Sequence, residues 1–362
     1  MNVKFLALAA VAASMTLVGC NKTLTPEEPG VPKSVTIKLA NVVPGTRSEG
    51  STNLSSGDPV QLNSYQVFFS DGTTLYNAKQ VNNQDDAEQY FSVSFDGTPL
   101  EASFHFLPSS VNKVIVIGNM PKIEDAQKET DLDRALSIAE QQDITNLTLY
   151  AESGLTLASD QGHQDEHDAT QVYEADLKLA PQIAGLYVEG FKYNYTGVTS
   201  YKKLDMLKIA LNNYYNKATL ASQALSEPSF TTIDNATVWN WFAGLTPDSW
   251  NWDDLTGESL EVTGDAPQTA TLEAGYYYHF FAADGDTPQI VMQCQSNGEP
   301  QYIASKNFYS EDSMTTPVEF KNGVLYKMTI EFTDDDLAHP DKCVDISVEP
   351  VDWVVTTIYP EF

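Results

Sequence analysis

The chain has 362 residues and a formal net charge of −30, with 50 acidic side chains against 20 basic ones. That balance argues against nucleic acid and anionic membrane surfaces as partners, and for a soluble, self-repelling exterior. The length suits two domains of ordinary size, each able to bury a core.

The first element is a leader. Met1-Asn2-Val3-Lys4 is a short cationic start, and the apolar run FLALAAVAASMTLVG that follows is too short to cross a bilayer comfortably. The run ends in Leu17-Val18-Gly19-Cys20. Small residues before a cysteine at that point match a bacterial lipobox, so Cys20 is the expected lipidation site and residues 1–19 the removed leader. The plainer alternative is an ordinary signal peptide with an incidental cysteine. Removing Lys4 with the leader takes the formal charge from −30 to −31. No later apolar run approaches membrane length, so the membrane is expected to be met only through the lipid on Cys20.

Residues 20–33 read as a polar, proline-containing tether. Val35, Ile37 and Leu39 then alternate with Thr36 and Lys38, the pattern of a half-buried strand. A Ser/Gly/Asn linker follows through Gly57. Short strands are expected at Gln66–Ser70, Tyr90–Phe95, Ala102–Leu107 and Val114–Gly118. Leu132–Gln141 reads as a helix, and Ile144–Tyr150 and Val172–Leu179 as strands. Beyond Pro181 a second half opens with strands at Ile183–Phe191 and Met206–Asn212, then helix or loop over 218–229. Strands are expected again at Tyr276–Ala282, Gln289–Gln293 and Val324–Phe332. At the end, Val344, Ile346 and Val348 alternate with polar residues, Glu349-Pro350 breaks the phase, and Val351, Trp353, Val355, Thr357 and Tyr359 resume it. Turns rich in Gly, Asn, Asp and Pro between short strands indicate an all-β class built of sandwiches, with minor helix.

Few residues offer chemistry. His163-Gln164-Asp165-Glu166-His167 has the order of one metalloprotease motif, but zinc chemistry needs both histidines on one helical face. Gly162, Asp168 and the lack of an apolar stripe make it a solvated acidic loop. Asp334-Asp335-Asp336 lacks the spacing and glycine of a calcium loop and reads as a polar turn. No nucleophile–base constellation, phosphate-cradling glycine loop or Cys/His zinc spacing occurs, so no catalytic residue, cofactor or metal is expected. Four of the five tryptophans, Trp239, Trp241, Trp250 and Trp252, crowd one segment. They either fill a core or form a ligand surface suited to sugar rings or a protein partner. Cys294 and Cys343 could pair, but two cysteines are no disulfide framework.

Arg47 is one of two arginines in the chain, the other being Arg134. Arg47-Ser48 falls in the exposed polar linker, where a protease can engage an extended segment. Arg134 falls in the helix expected at 132–141, which should shield it. A cut after Arg47 would free residues 20–47, carrying the lipid and the strand of Val35, Ile37 and Leu39. A groove with open strand edges would remain, a template for another strand. The C-terminal segment has the same period of two and ends freely. On pattern alone the plainer reading is an ordinary last strand of its own sandwich.

The lipobox, the TR-S site, VNKVIVIGNMPK (111–122), IALNNYYNKATL (209–220), VLYKMTIEF (324–332) and VDISVEPVDWVV (344–355) together resemble the FimA-type fimbrillins of Bacteroidales. The resemblance covers most of the chain. It implies two transthyretin-like β-sandwich domains in tandem, at 48–180 and 181–362. It also implies export as an outer-membrane lipoprotein and cleavage after Arg47 by an arginine-specific surface protease. Head-to-tail polymerisation by donor-strand exchange into a cell-surface fimbrium would follow, with other fimbrial subunits as further partners. Residues 343–362 would be the donor, with Val344, Ile346, Val348, Val351, Trp353, Val355 and Tyr359 as its apolar face. One departure is Ala180-Pro181, where the family tends to carry an arginine before its second domain. A long regular C-terminal segment suits a shaft subunit. The rival reading is a surface glycan-binding or tip-type adhesin lipoprotein using 239–252.

Overall fold

A computed structural model of the chain describes residues 30–39, 42–44, 60–80, 85–93, 101–160, 171–285, 288–310, 313–339, 344–352 and 355–357. Cys20, Arg47, Ser48, His163–His167, Cys343, Trp353 and Tyr359 lie outside them. The fold is all-β and sandwich-like, with short helices.

In the first half two sheets enclose one core. One has the order Thr156–Leu157, Gln171–Leu177, Lys33–Leu39, Glu101–Leu107. The other centres on Lys113–Gly118, flanked by Ser64–Ser70 and Leu149–Gly154. Val114, Ile115, Val116 and Ile117 are all buried, as expected of a continuous apolar run in a strand covered on both faces. The core spans Val35 to Tyr187 and takes in Ala218, Leu220, Phe281 and Leu325 from later in the chain.

The second half is one long sheet folded over on itself. Its order is Asn251–Asp254, Lys203–Asn212, Gln289–Ser296, Glu299–Ser310, Val344–Asp352, Val324–Thr333, Ala184–Tyr195, Gln268–Phe280. Leu204 and Ile209 near one end share a core with Leu186 and Phe191 near the other. Gly190 sits at a bulge where Ala184–Tyr195 meets Gln268–Phe280. A Cβ there would fall 2.7 Å from the Leu272 carbonyl oxygen, so only glycine fits.

Several local expectations are corrected. Residues 132–141 form no α-helix. They run as a 3-10 turn ending at Leu132, a strand Ala135–Ser137 and a second 3-10 turn Ile138–Gln141. The strand pairs with Tyr214–Thr219, and Asp133 accepts hydrogen bonds from the Ala221 and Ser222 amides, so tertiary pairing overrides local helix propensity. Arg134 is still held, its amide donating to Leu132 and its carbonyl accepting from Leu220 at 2.9 Å. Residues 144–146 are a 3-10 turn before the strand Leu149–Gly154. The segment expected as helix or loop closes with a strand, Ser226–Ser229, paired to Tyr214–Thr219. The polar turn at Asp334 is a short helix, Asp334–Ala338, capped by Thr333.

Candidate functional site: a central first strand and a shared C-terminal strand

The first strand is central to its sheet. Lys33–Leu39 pairs in parallel with Gln171–Leu177 along its whole length and antiparallel with Glu101–Leu107 on the other side. Val35, Ile37 and Leu39 are 0, 1 and 5% exposed, so the side chains the alternation pointed inward do enter the core. The other face is fastened too. Ser34 Oγ lies 3.0 Å from His105 Nδ1, and Thr36 Oγ1 3.0 Å from Ser103 Oγ. Lys33 is buried, a feature the sequence pattern does not announce. Its ammonium donates to the Val111 carbonyl at 2.9 Å and stands 4.5 Å from the centre of the Tyr173 ring. A buried cation needs such partners. Without this strand, Gln171–Leu177 and Glu101–Leu107 would face each other across a gap of about 9–10 Å, twice the strand spacing, which is the width a strand fills.

The C-terminal segment divides at the phase break. Val344–Val348 pair in parallel with Ser305–Ser310. Residues Glu349 to Asp352 pair antiparallel with Val324–Lys327. The strand changes partner at Glu349-Pro350, where proline removes a ladder donor. Val344, Ile346 and Val348 face the chain's own second core and are buried there. Val351 belongs to the same strand. Val355–Thr357 leaves that sheet and becomes the middle strand of a parallel trio, between Val42–Pro44 and Val60–Gln61.

The tryptophan segment splits in two. The helix Asn235–Phe242 starts at Asp234, whose carboxylate accepts from the Thr237 amide at 2.7 Å. Trp241 and Trp250 meet edge-to-face at 4.9 Å and are buried over Ala210, Val291 and Ala304, small side chains that leave room for indoles. These two are core residues, which corrects their place in a ligand surface. Trp239 is 66% exposed and Trp252 43%, the latter with the Lys208 ammonium 4.6 Å from its ring centre. A cleft of about 590 Å³ opens beside the helix, lined among others by Asn213, Phe230, Asp234, Asn235 and Tyr302.

Two titratable groups are tied into the frame rather than poised for chemistry. Burial draws the Asp334 carboxyl up. The Thr196 and Thr199 side chains and amides outweigh it, donating at 2.7–3.3 Å and holding it below its ordinary value. Burial lowers His279 to about 4, against a hydrogen bond from Nδ1 to the Gln141 carbonyl at 2.8 Å that favours the proton. Cys294 is a buried free thiol, pushed up to about 12 by burial. Among the described residues no group of three metal-ligating side chains gathers, and no helix is long and apolar enough to cross a membrane.

No family model and no curated protein matches the chain. Solved structures do. A fimbrilin (fimA) from Porphyromonas gingivalis superposes with a TM-score of 0.52 at 12% identity, covering 91% of this chain and 99% of the other. A candidate cell adhesion protein from Bacteroides eggerthii gives 0.51 at 14%, covering 92% and 100%. At these identities the likeness is one of fold, and it runs over nearly the full length of both chains.

Proposed function

We propose that this chain is a structural subunit of a cell-surface fimbria, exported as a lipoprotein through Cys20, cut at Arg47-Ser48 and polymerised head to tail by donor-strand exchange. The observation that carries the reading is the first strand. It is central, closely packed through Val35, Ile37 and Leu39, and joined to the rest of the chain through the segment that bears Arg47. Its loss would leave a strand-wide groove with two open edges. Residues 343–362 are the proposed donor. Val344, Ile346 and Val348 would vacate their own core to serve a neighbour, losing roughly 1.5–3 kcal/mol each and regaining a similar amount in the neighbour's groove. A head-to-tail contact of this kind does not close, so it yields a filament. The processing protease and other fimbrial subunits are the expected partners. The proposed domains are 48–180 and 181–362, with residues 20–47 as propeptide.

The test uses residues 21–362 treated with an arginine-specific protease. A new Ser48 terminus together with detergent-resistant multimers supports the reading. Clean cleavage without multimers overturns the shaft role. In that case the exposed Trp239 and Trp252 favour a second reading as a glycan-binding or tip-type subunit.

A further inference from the structure

The parallel trio is built from three segments that sequence keeps apart. Val355–Thr357 is the middle strand, in register with Val42, Val43 and Pro44 on one side and with Val60 and Gln61 on the other. Its two partners are the elements on either side of residues 45–59, the stretch that contains Arg47. Strands of two or three residues have no local reason to assemble, and isolated ribbons that short are not stable. The trio therefore holds only while all three segments stay anchored: Val42–Pro44 through Lys33–Leu39, Val60 through the first core, and Val355–Thr357 through Val344–Asp352.

We infer that Val42–Pro44 is a clasp, holding the C-terminal end of the chain on its own body until the Arg47-Ser48 bond is cut. The inference rests on the assembly reading above and adds a regulation to it. Only Ala40 and Asn41 separate the clasp from the first strand, so the two leave together as one peptide. Val355–Thr357 then changes from a middle strand to an edge strand, keeping only its pairing with Val60–Gln61. Parallel pairing is the weaker kind per residue, and here it spans two positions. One cut thus opens the acceptor groove and loosens the end of the donor, whose remaining hold is Val344–Asp352 in its own sheet. An uncut subunit is blocked at both ends: it can neither receive a strand nor give one.

A mixing experiment separates the clasp from the assembly reading. Fluorescently labelled Arg47→Ala chain, residues 21–362, is added to wild-type chain being cut by the protease. A subunit silenced only at its groove would still donate its tail and cap growing multimers. The clasp predicts that Arg47→Ala incorporates at least about tenfold less than labelled wild type, as follows when the competent tail is a tenth populated or less. Replacing Val42, Val43 and Pro44 with glycine in the Arg47→Ala background should restore capping. Equal incorporation of Arg47→Ala and wild type overturns the clasp and leaves donor-strand assembly standing. Failure of cut wild-type chain to form multimers overturns the assembly reading itself. Adjacency is checked independently in the uncut chain with Val43→Cys and Thr356→Cys, in a Cys343→Ser background. Mild oxidation should cross-link the pair within one chain, and absence of that disulfide also counts against the clasp.

Discussion

A chain that begins at Ser48 should have a first half that no longer folds normally. The missing strand contributes Val35, Ile37 and Leu39 to the core, all at most 5% exposed. At roughly 1.5–3 kcal/mol for each fully buried side chain, their loss amounts to about 4.5–9 kcal/mol. That figure is an upper estimate, because a denatured chain already buries some of the same surface. The opened ladders on both flanking strands work in the same direction, at about 0.5–1.5 kcal/mol for each hydrogen bond left unmade. Natural domains retain only about 5–15 kcal/mol of net stability, so the deficit is of the order of the whole. The measurement is thermal unfolding of 48–362 against 21–362, followed by circular dichroism and dye binding at concentrations too low for multimers. The expected result is loss of the first transition, or a drop of tens of degrees, with increased dye binding. A synthetic peptide of residues 31–41 should reverse part of both changes. It must be supplied in excess, because free association loses translational and rotational freedom that the covalent strand does not. The same peptide carrying Ile37→Asp should fail, since it would bring an unpaired charge into the core. A Ser48 chain that melts within a few degrees of the longer one and binds no dye would refute the argument.

Other expectations follow from single side chains. Acid should weaken the joint between the halves through His279. Its folded pKa of about 4 lies below the ordinary 6.5, so its contribution is complete above pH 6.5 and is lost as pH falls toward 4. The loss reaches roughly 3 kcal/mol, and urea midpoints across that window check it against His279→Gln, which should flatten the profile. Asp334→Ala should destabilise the second half by about 3 kcal/mol, since it strands the Thr196 and Thr199 donors that the carboxylate satisfies. The depressed carboxyl contributes above its ordinary pKa and is lost only as pH falls below it, so wild type and variant should converge in strong acid. Trp241→Ala should cost about 3–5 kcal/mol, whereas Trp239→Ala should stay within about 0.5 kcal/mol, both read by chemical denaturation.

The regular strands were the legible part of this sequence. Alternation at Val35, Ile37 and Leu39 and at Val344, Ile346 and Val348 marks the buried side chains because one face of each strand meets a core and the pleat has a period of two. The break at Glu349-Pro350 is a real change of partner. Where the pattern misleads, tertiary pairing decides. Residues 132–141 carry helix formers, yet their backbone is claimed by a strand from the other half. Glu299–Ser310 was missed, although it is a long central strand, because Pro300, Ser305, Lys306 and Asn307 interrupt its apolar rhythm. The tryptophans could not be sorted by spacing alone. Trp239 and Trp241 fall on opposite sides of a helix too short to show a clear period. Nothing local marks Val355–Thr357 as a partner of segments some 300 residues earlier, since a three-residue strand carries no pattern of its own.

The two ends of the chain pose one energetic problem. Donor and first strand bury similar alternating side chains, Val35, Ile37 and Leu39 against Val344, Ile346 and Val348, so exchanging one for the other gains little from burial alone. The advantage must come from the cut. Before it, the first strand is part of the same chain, and its effective concentration at the groove is that of a tethered ligand. A neighbour's strand competes against that and loses. After the cut, residues 20–47 are a separate, lipid-bearing peptide, and once they dissociate the first strand no longer has a tethered ligand's effective concentration at the groove. The fragment stays at the membrane with the proposed lipid on Cys20 while the cut body moves away from it, whereas each donor remains attached to a large body that brings its own contacts. Similar pockets are then filled from outside by a longer strand. This ordering needs no weakness in the first strand, and its close packing supports that view. A loosely held strand would exchange without proteolysis and allow assembly before the subunit reached the surface.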